Sequence, residues 1–410
     1  MTGGPNTPTR GWIVLRRPFF HAFAAQTFVE VADQMFLVAL AWAVLTTSGA
    51  PALGLVLLAW SGPRGVFLLV GGAFADRGDR RVVGAAASAG LAGVVALLAA
   101  AWAVDRVSLP LWLAVAPVLG FLDGVRLPVG YALIPLLVEE SEIIEANRWS
   151  QLRLWMALTL GPPLGGAVAA VFGVGGGFAA VAVCYALGGA LLLALPPLLV
   201  SRSDRPSVAR DVIGALSFVR GHQRLRLLLP VFAAVNLCIL GLYVVGMPLF
   251  VKEGLGGDAD DLGLVVGAFG AGLMIGTLAL PRFPEWITTS TAGLFTLFAL
   301  SDLGLALVGL APSVVAAAGA FFASGFCIGP ASTLYQAIVQ TTTPPEYLGR
   351  IIGMSRAVSF GFEPLSAAAA GQLSRLVSSG VLLLAGGLTA MTIDLFAALR
   401  GRALDRSGLD

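Results

Sequence analysis

Gln26, Glu30 and Asp33 stand four and then three positions apart in an otherwise apolar run, so a helix carries all three on one face. Asp123 and Arg126 repeat the arrangement in a second apolar run, one turn apart. An aspartate at the centre of a bilayer costs about 2.5–3.5 kcal/mol on insertion scales, so such residues normally face a cavity and bind something. Two chemistries fit: a carboxyl that takes up and releases a proton, or a carboxylate that holds a cation. A fixed Asp–Arg pair that only braces helices is the structural alternative, and for Asp123 and Arg126 a self-satisfied i,i+3 pair stands beside a proton relay.

The elements that position these groups are membrane spans. Of 410 residues, 57% are hydrophobic and 12% charged, against about 25% charge in a soluble domain. Mean hydropathy is +0.89. Apolar runs of about 20 residues fall at roughly 19–46, 52–75, 82–104, 109–138, 151–172, 176–200, 226–251, 261–282, 287–310, 313–341, 351–376 and 380–399. Only Ala311-Pro312-Ser313 divides the ninth from the tenth. An all-α membrane protein of twelve transmembrane helices follows, because helices satisfy their own backbone in lipid. Residues 1–18 lack the apolar core of a secretory signal, so the first span is expected to stay in the protein.

Basic residues orient the chain. With the N-terminus inside, only Arg106, Lys252 and Arg375 of the 25 basic residues fall in outer segments, and Arg64 and Arg126 lie within spans. The rest are on the inner side, which predicts cytoplasmic termini in a bacterial cytoplasmic membrane. The net charge of +2 and the lack of a basic tract argue against nucleic acid. Cys184, Cys238 and Cys327 form no metal or disulfide pattern and read as small buried hydrophobes. Trp102 and Trp112 read as interfacial anchors. A phosphate-binding loop needs lysine followed by Ser or Thr, and the single lysine, Lys252, precedes Glu253; ATP-driven transport is set aside.

The chain repeats itself. Pro128 and Pro330, Arg148 and Arg350, and Pro162 and Pro364 are each separated by 202 residues. The expected units are an N-terminal half over 1–200, a polar linker over 201–225, and a C-terminal half over 226–410. Val212, Ala215, Leu216 and Val219 give the linker one apolar face, which predicts a short helix on the inner membrane surface.

Three motifs carry a family resemblance. Gly161-Pro162-Pro163-Leu164-Gly165-Gly166 combines a missing backbone donor with close helix approach. It resembles the fifth-helix antiporter motif of the major facilitator superfamily. Gly72-Ala73-Phe74-Ala75-Asp76-Arg77-Gly78-Asp79-Arg80-Arg81 resembles the loop motif between the second and third helices, with Asp79 where the family has a second glycine. Glu145-Ala146-Asn147-Arg148 and Pro344-Pro345-Glu346-Tyr347-Leu348-Gly349-Arg350 are similar to segments of the macrolide and siderophore exporters of that superfamily. The resemblance implies two pseudo-symmetric six-helix bundles in which the loop, through Gly72, Asp76, Arg77, Arg80 and Arg81, holds the inner gate. Its second copy, Gly276 through Arg282, has Leu280 in place of the acid. Glu363 stands where the first half has Gly161, which adds an acid in span 11. Asp302 and Asp394 fall in spans that are peripheral in such a fold and read as helix braces.

The resemblance further implies proton-driven export of amphipathic drugs by a monomer with no cofactor, no metal and no enzymatic step. Asp33 or Glu30 would carry the coupling proton, with Arg126, Asp123 and Glu363 as further coupling or substrate candidates. Gln26, Asn236, Tyr243, Tyr335 and Gln336 would line the cavity. The proton affinity of such a carboxyl depends on burial and on the charge beside it, so a change of conformation moves the proton across. A dedicated exporter of one siderophore or secondary metabolite is the main alternative. A non-transporting receptor would need neither gate motif nor intramembrane acids, and a nutrient importer fits the span 5 motif poorly.

Overall fold

The computed structural model describes residues 17–75, 79–139, 142–197 and 217–407, and these are helical throughout with short connecting turns. The long helices are α1 (Arg17–Ser48), α2 (Ala50–Ala75), α3 (Arg80–Ala103), α4 (Leu109–Leu137) and α5 (Ile143–Leu193). After residues 198–216, which lie outside the description together with most of the proposed linker helix, come α6 (Gln223–Gly254) and α7 (Ala259–Ala279). The last four are α8 (Thr291–Val308), α9 (Val314–Thr342), α10 (Pro345–Leu373) and α11 (Ser379–Ser407). Among the described residues, nine segments are long and apolar enough to cross a membrane.

The apolar runs became these helices nearly in register, with informative departures. The sequence predicts two spans at 151–172 and 176–200, and α5 consists of two helical arms that meet at a kink at Gly173, with φ 72° and ψ 170°. That backbone suits glycine, and the chain reverses there. Gly161 packs on Gln34 of α1, and Tyr185, twelve residues beyond the turn, returns to Asp33 beside it. The two arms of α5 are therefore antiparallel and joined without a loop. α10 starts six residues before its apolar run because Pro345 occupies the first helical turn, where the lost N–H has no partner anyway. α6 contains two π-turns, Leu242–Gly246 and Phe250–Gly254.

The main core cluster is built chiefly from α1 and α6, with smaller contributions from every other long helix. Trp112 belongs to it: only 1% exposed and packed on Phe178 at 5.9 Å, it is a core residue and not an interfacial anchor. The three cysteines are free and half-buried, more open than the sequence reading expected. Glycines bring the N-terminal and C-terminal helices into backbone contact. A Cβ on Gly54 of α2 would lie 2.7 Å from the Ala367 carbonyl of α10, and one on Gly166 of α5 would lie 2.6 Å from the Ala259 carbonyl of α7. α2 thus meets α10, and the first arm of α5 meets α7.

Candidate functional site

α1 carries Glu30 and Asp33 one turn apart, and each finds a different arginine. Arg126 of α4 donates to Asp33 Oδ2 at 2.8 Å. The same terminal nitrogen donates to Asp123 Oδ1 one turn earlier on α4. Asp123 Oδ2 lies 2.8 Å from Nε of Arg64 on α2. Tyr185, on the second arm of α5, donates its hydroxyl to Asp33 Oδ1 at 2.7 Å. Four helical segments are thereby tied through one chain of charge-assisted bonds. Asp123 and Arg126 are each 4% exposed, whereas the Asp33 side chain is 28% exposed. Asp33 is the accessible end of the chain.

The other half enters through Glu363 of α10, whose charge reaches Arg64 and Asp123. Two arginines, Arg64 and Arg126, face three carboxyls, those of Asp33, Asp123 and Glu363. In a low-dielectric site an excess carboxylate is expensive, and the carboxyls of this group outnumber its arginines by one. Glu30 adds a further pair: Arg153 from the first arm of α5 pairs with its Oε1 at 3.0 Å, and Glu30 Oε2 is buried with no hydrogen-bond partner among the described residues.

The glycine–proline motif lies where α5 crosses α1 and α7. Gly161 and Gly165 face Gln34 and Met35 of α1, while Pro162 and Gly166 face Gly263 and Ala259 of α7. The motif therefore sits at a junction between the N-terminal and C-terminal helices. A cavity of about 130 Å³ opens beside it, with Gln34, Pro162, Tyr243, Phe269 and Phe321 among its walls. Tyr243 stacks on Phe321, 5.4 Å between ring centres. Such walls suit an apolar or aromatic body with few polar groups.

The remaining cavity candidates are dispersed. Asn236 and Tyr335 line a second cavity of about 200 Å³ among α6, α8, α9 and α11. Tyr335 shares a hydrogen bond with Ser355 at 2.9 Å and stacks on Phe232. Gln26 packs against Gly130 and lines a small pocket with Arg153. Gln336 is exposed and lines neither larger cavity.

Of the loop motif, Gly72 lies in α2, and Asp76 and Arg77 lie outside the described residues. Asp79, the departure from the family pattern, has a local purpose. It caps α3 by accepting from the Arg81 backbone at 3.1 Å and also pairs with the Arg81 side chain at 2.7 Å. Arg81 reaches on to the Leu195 carbonyl at 2.7 Å, at the carbonyl-rich end of α5 where a cation is favoured. Arg80 is 9% exposed.

Sequence reasoning placed no role on Arg64, Arg153 or Tyr185. Arg64 carried a usable signal, since an intramembrane arginine requires an acid nearby. Arg153 was assigned to the inner membrane surface by its charge, and nothing in the order of residues connects Tyr185 to Asp33.

Comparisons with known proteins identify the family. The multidrug efflux pump Tap of Mycolicibacterium fortuitum is 26% identical over 408 residues, covering 93% of this chain and 96% of the pump. The enterobactin exporter EntS of Citrobacter koseri is 26% identical over 325 residues, 76% of this chain and 74% of the exporter. A crystal structure of a bacterial homolog of the human lysosomal transporter Spinster, inward-facing and unoccupied, superposes with a TM-score of 0.66 at 12% identity, covering 96% of each chain. The family model of the Major Facilitator Superfamily matches residues 22–362. Matched over most of its length and similar to drug and siderophore exporters, this multi-pass helical chain belongs to the Major Facilitator Superfamily, a family of transporters and not of enzymes.

Proposed function

We propose that the chain is a proton-coupled exporter of amphipathic drugs that works by alternating access as a monomer in the bacterial cytoplasmic membrane. The observation that carries the reading is the Asp33–Arg126 contact at 2.8 Å, at the accessible end of a buried charge network and next in sequence to Gln34, which lines the apolar cavity. Twelve crossings follow if α5 counts as two across Gly173 and α2 and α10 also span. The halves 1–200 and 226–410 are then two six-helix bundles, with both termini cytoplasmic.

On that reading the described state is closed outside. Lys252 donates to the Leu45 carbonyl at 2.9 Å, linking the outer ends of α6 and α1. The Gly54–Ala367 and Gly166–Ala259 contacts lie toward the same end. Protonation of Asp33 removes its charge and releases its pull on Arg126, which then rests on Asp123 alone. The contact between α1 and α4 weakens, and the bundles are free to rock about the glycine contacts. An incoming cationic substrate competes for the same carboxylate, so proton and drug occupy it in turn. Arg80 and Arg81, with Gly72, Asp76 and Arg77, hold the inner end when the outer end is open.

Proteoliposomes containing a pH dye and given lipophilic cations or macrolides test this. Compound-dependent proton movement that disappears in Asp33→Asn supports the reading. Compound transport in the wild-type protein without proton movement overturns it. The similarity to an enterobactin exporter favours a second reading, a dedicated siderophore exporter. Proton movement with enterobactin and with none of the drugs would select it.

A further inference from the structure

Asp302 on α8 and Asp394 on α11 are 2% and 1% exposed, deep in the C-terminal helices. Both line one cavity, and each carboxyl is close enough to act on the other. A carboxylate can only accept a hydrogen bond, so a bond between two carboxyls needs a proton on one of them. Oδ2 of each is buried, and among the described residues no donor reaches either atom. A proton shared between the two carboxyls would supply the missing partner.

The surroundings distinguish this pair from the other intramembrane acids. Asp33, Asp123 and Glu30 each contact an arginine. Around Asp302 the titratable groups are Asp394 of α11 and Cys238 and Tyr243 of α6, and around Asp394 the one that acts is Asp302. Among the described residues, no arginine or lysine acts on either carboxyl. A simple brace between helices needs no such arrangement. Ser301, next to Asp302, already bonds Ser324 of α9 at 3.1 Å through two hydroxyls, which supply their own proton. Two adjacent carboxylates repel, so the doubly ionised form is disfavoured and the singly protonated form is stable. Both aspartates also line the cavity of about 200 Å³, whose wall includes Asn236, Ser332 and Tyr335. Those polar groups can hold water beside the pair and give its proton a way out.

We propose that Asp302 and Asp394 form a proton-binding site of the C-terminal half, which holds one proton between two carboxyls and exchanges it through that cavity. The site is separate from the Asp33 network and does not depend on what the transporter carries.

Infrared spectroscopy of the full chain in lipid nanodiscs tests it, with the aspartates labelled with carbon-13. At neutral pH the wild-type protein is expected to show a protonated-carboxyl band that shifts on labelling and again in heavy water. The band is expected to shift in Asp302→Asn and in Asp394→Asn, where the remaining carboxyl no longer shares its proton with a second one, and to persist unchanged in Asp33→Asn. The double variant Asp302→Asn/Asp394→Asn keeps an amide–amide hydrogen bond with no charge, so it folds where a single variant does not and must also lack the band. Absence of any labelled protonated carboxyl overturns the proposal, as does a band that survives the double variant. A band that is lost in the double variant but never shifts in heavy water also overturns it, because the proton is then sealed in a brace. An Asp33→Asn phenotype in transport leaves these outcomes unchanged.

Discussion

Arg126 holds Asp33 of α1 and Asp123 of its own helix through a single terminal nitrogen. One cation is thus divided between an accessible carboxyl and a buried one. Whatever neutralises Asp33 strengthens the hold on Asp123, so the two aspartates compete for Arg126.

Removing that cation is expected to be costly. Arg126→Ala leaves two carboxyls with Arg64 as their remaining cation, and breaking a buried ion pair from one side typically costs about 3–5 kcal/mol. Thermal unfolding in detergent should show a large fall for Arg126→Ala. Asp33→Asn, which removes the accessible charge and keeps a polar partner for Tyr185 and Arg126, should unfold close to wild type. Equal losses in the two variants would contradict the division of roles.

The glycine contacts between α5 and α7 should tolerate no added volume. A Cβ on Gly263 of α7 would lie 2.6 Å from the Pro162 carbonyl, and overpacking of this kind costs about 1–3 kcal/mol. Gly263→Ala and Gly166→Ala should lower transport while the protein still inserts. Gly177→Ala is the control, because its Cβ would have ordinary contacts at 3.8 Å. Transport by all three measured against membrane abundance decides the matter.

Lys252 should bias the balance between open states. Its hydrogen bond to the Leu45 carbonyl joins helices of the two halves, and bonds to charged groups contribute about 1.5–3 kcal/mol. Lys252→Met should shift the population toward the state open at that end. Spin-label distances between the ends of α1 and α6 should lengthen, and an unchanged distribution would show that the bond follows closure without stabilising it.

Asp405 should stabilise the start of α8 from outside its own helix. Its two carboxylate oxygens accept from the Thr291 and Ala292 backbone, both at 3.2 Å. Loss of a cap costs about 0.5–2 kcal/mol. Asp405→Ala is expected to increase hydrogen exchange at residues 291–293 with little effect on transport.

The helices were legible in the sequence because lipid demands long apolar runs, and the Asp33–Arg126 contact was legible because an intramembrane charge needs a partner. Pro162 and Pro364, like Pro128 and Pro330, did fall at corresponding places inside α5 and α10 and inside α4 and α9. The rest of the network depended on folding at a distance. Tyr185 meets Asp33 across 152 positions only because the chain reverses at Gly173. Arg153 looked like a surface charge until α5 proved to start at Ile143, which carries its side chain inward to Glu30. Asp79 looked like a departure from a motif, and it is the cap of α3. Cavity walls were the least legible: Tyr243 and Tyr335 occupy different cavities, and Gln336 neither.

The reversal at Gly173 has an effect on how the topology of this protein can be mapped. A protease, an antibody or an inserted epitope needs several residues of free backbone, and here helix runs up to the glycine from both sides. Reporters placed there would disrupt the corner before they read it. The turns over 104–108 and 374–378 offer the slack that this corner lacks, so tags belong in those turns, and a failed tag at 173 would carry no information about which side of the membrane it faced.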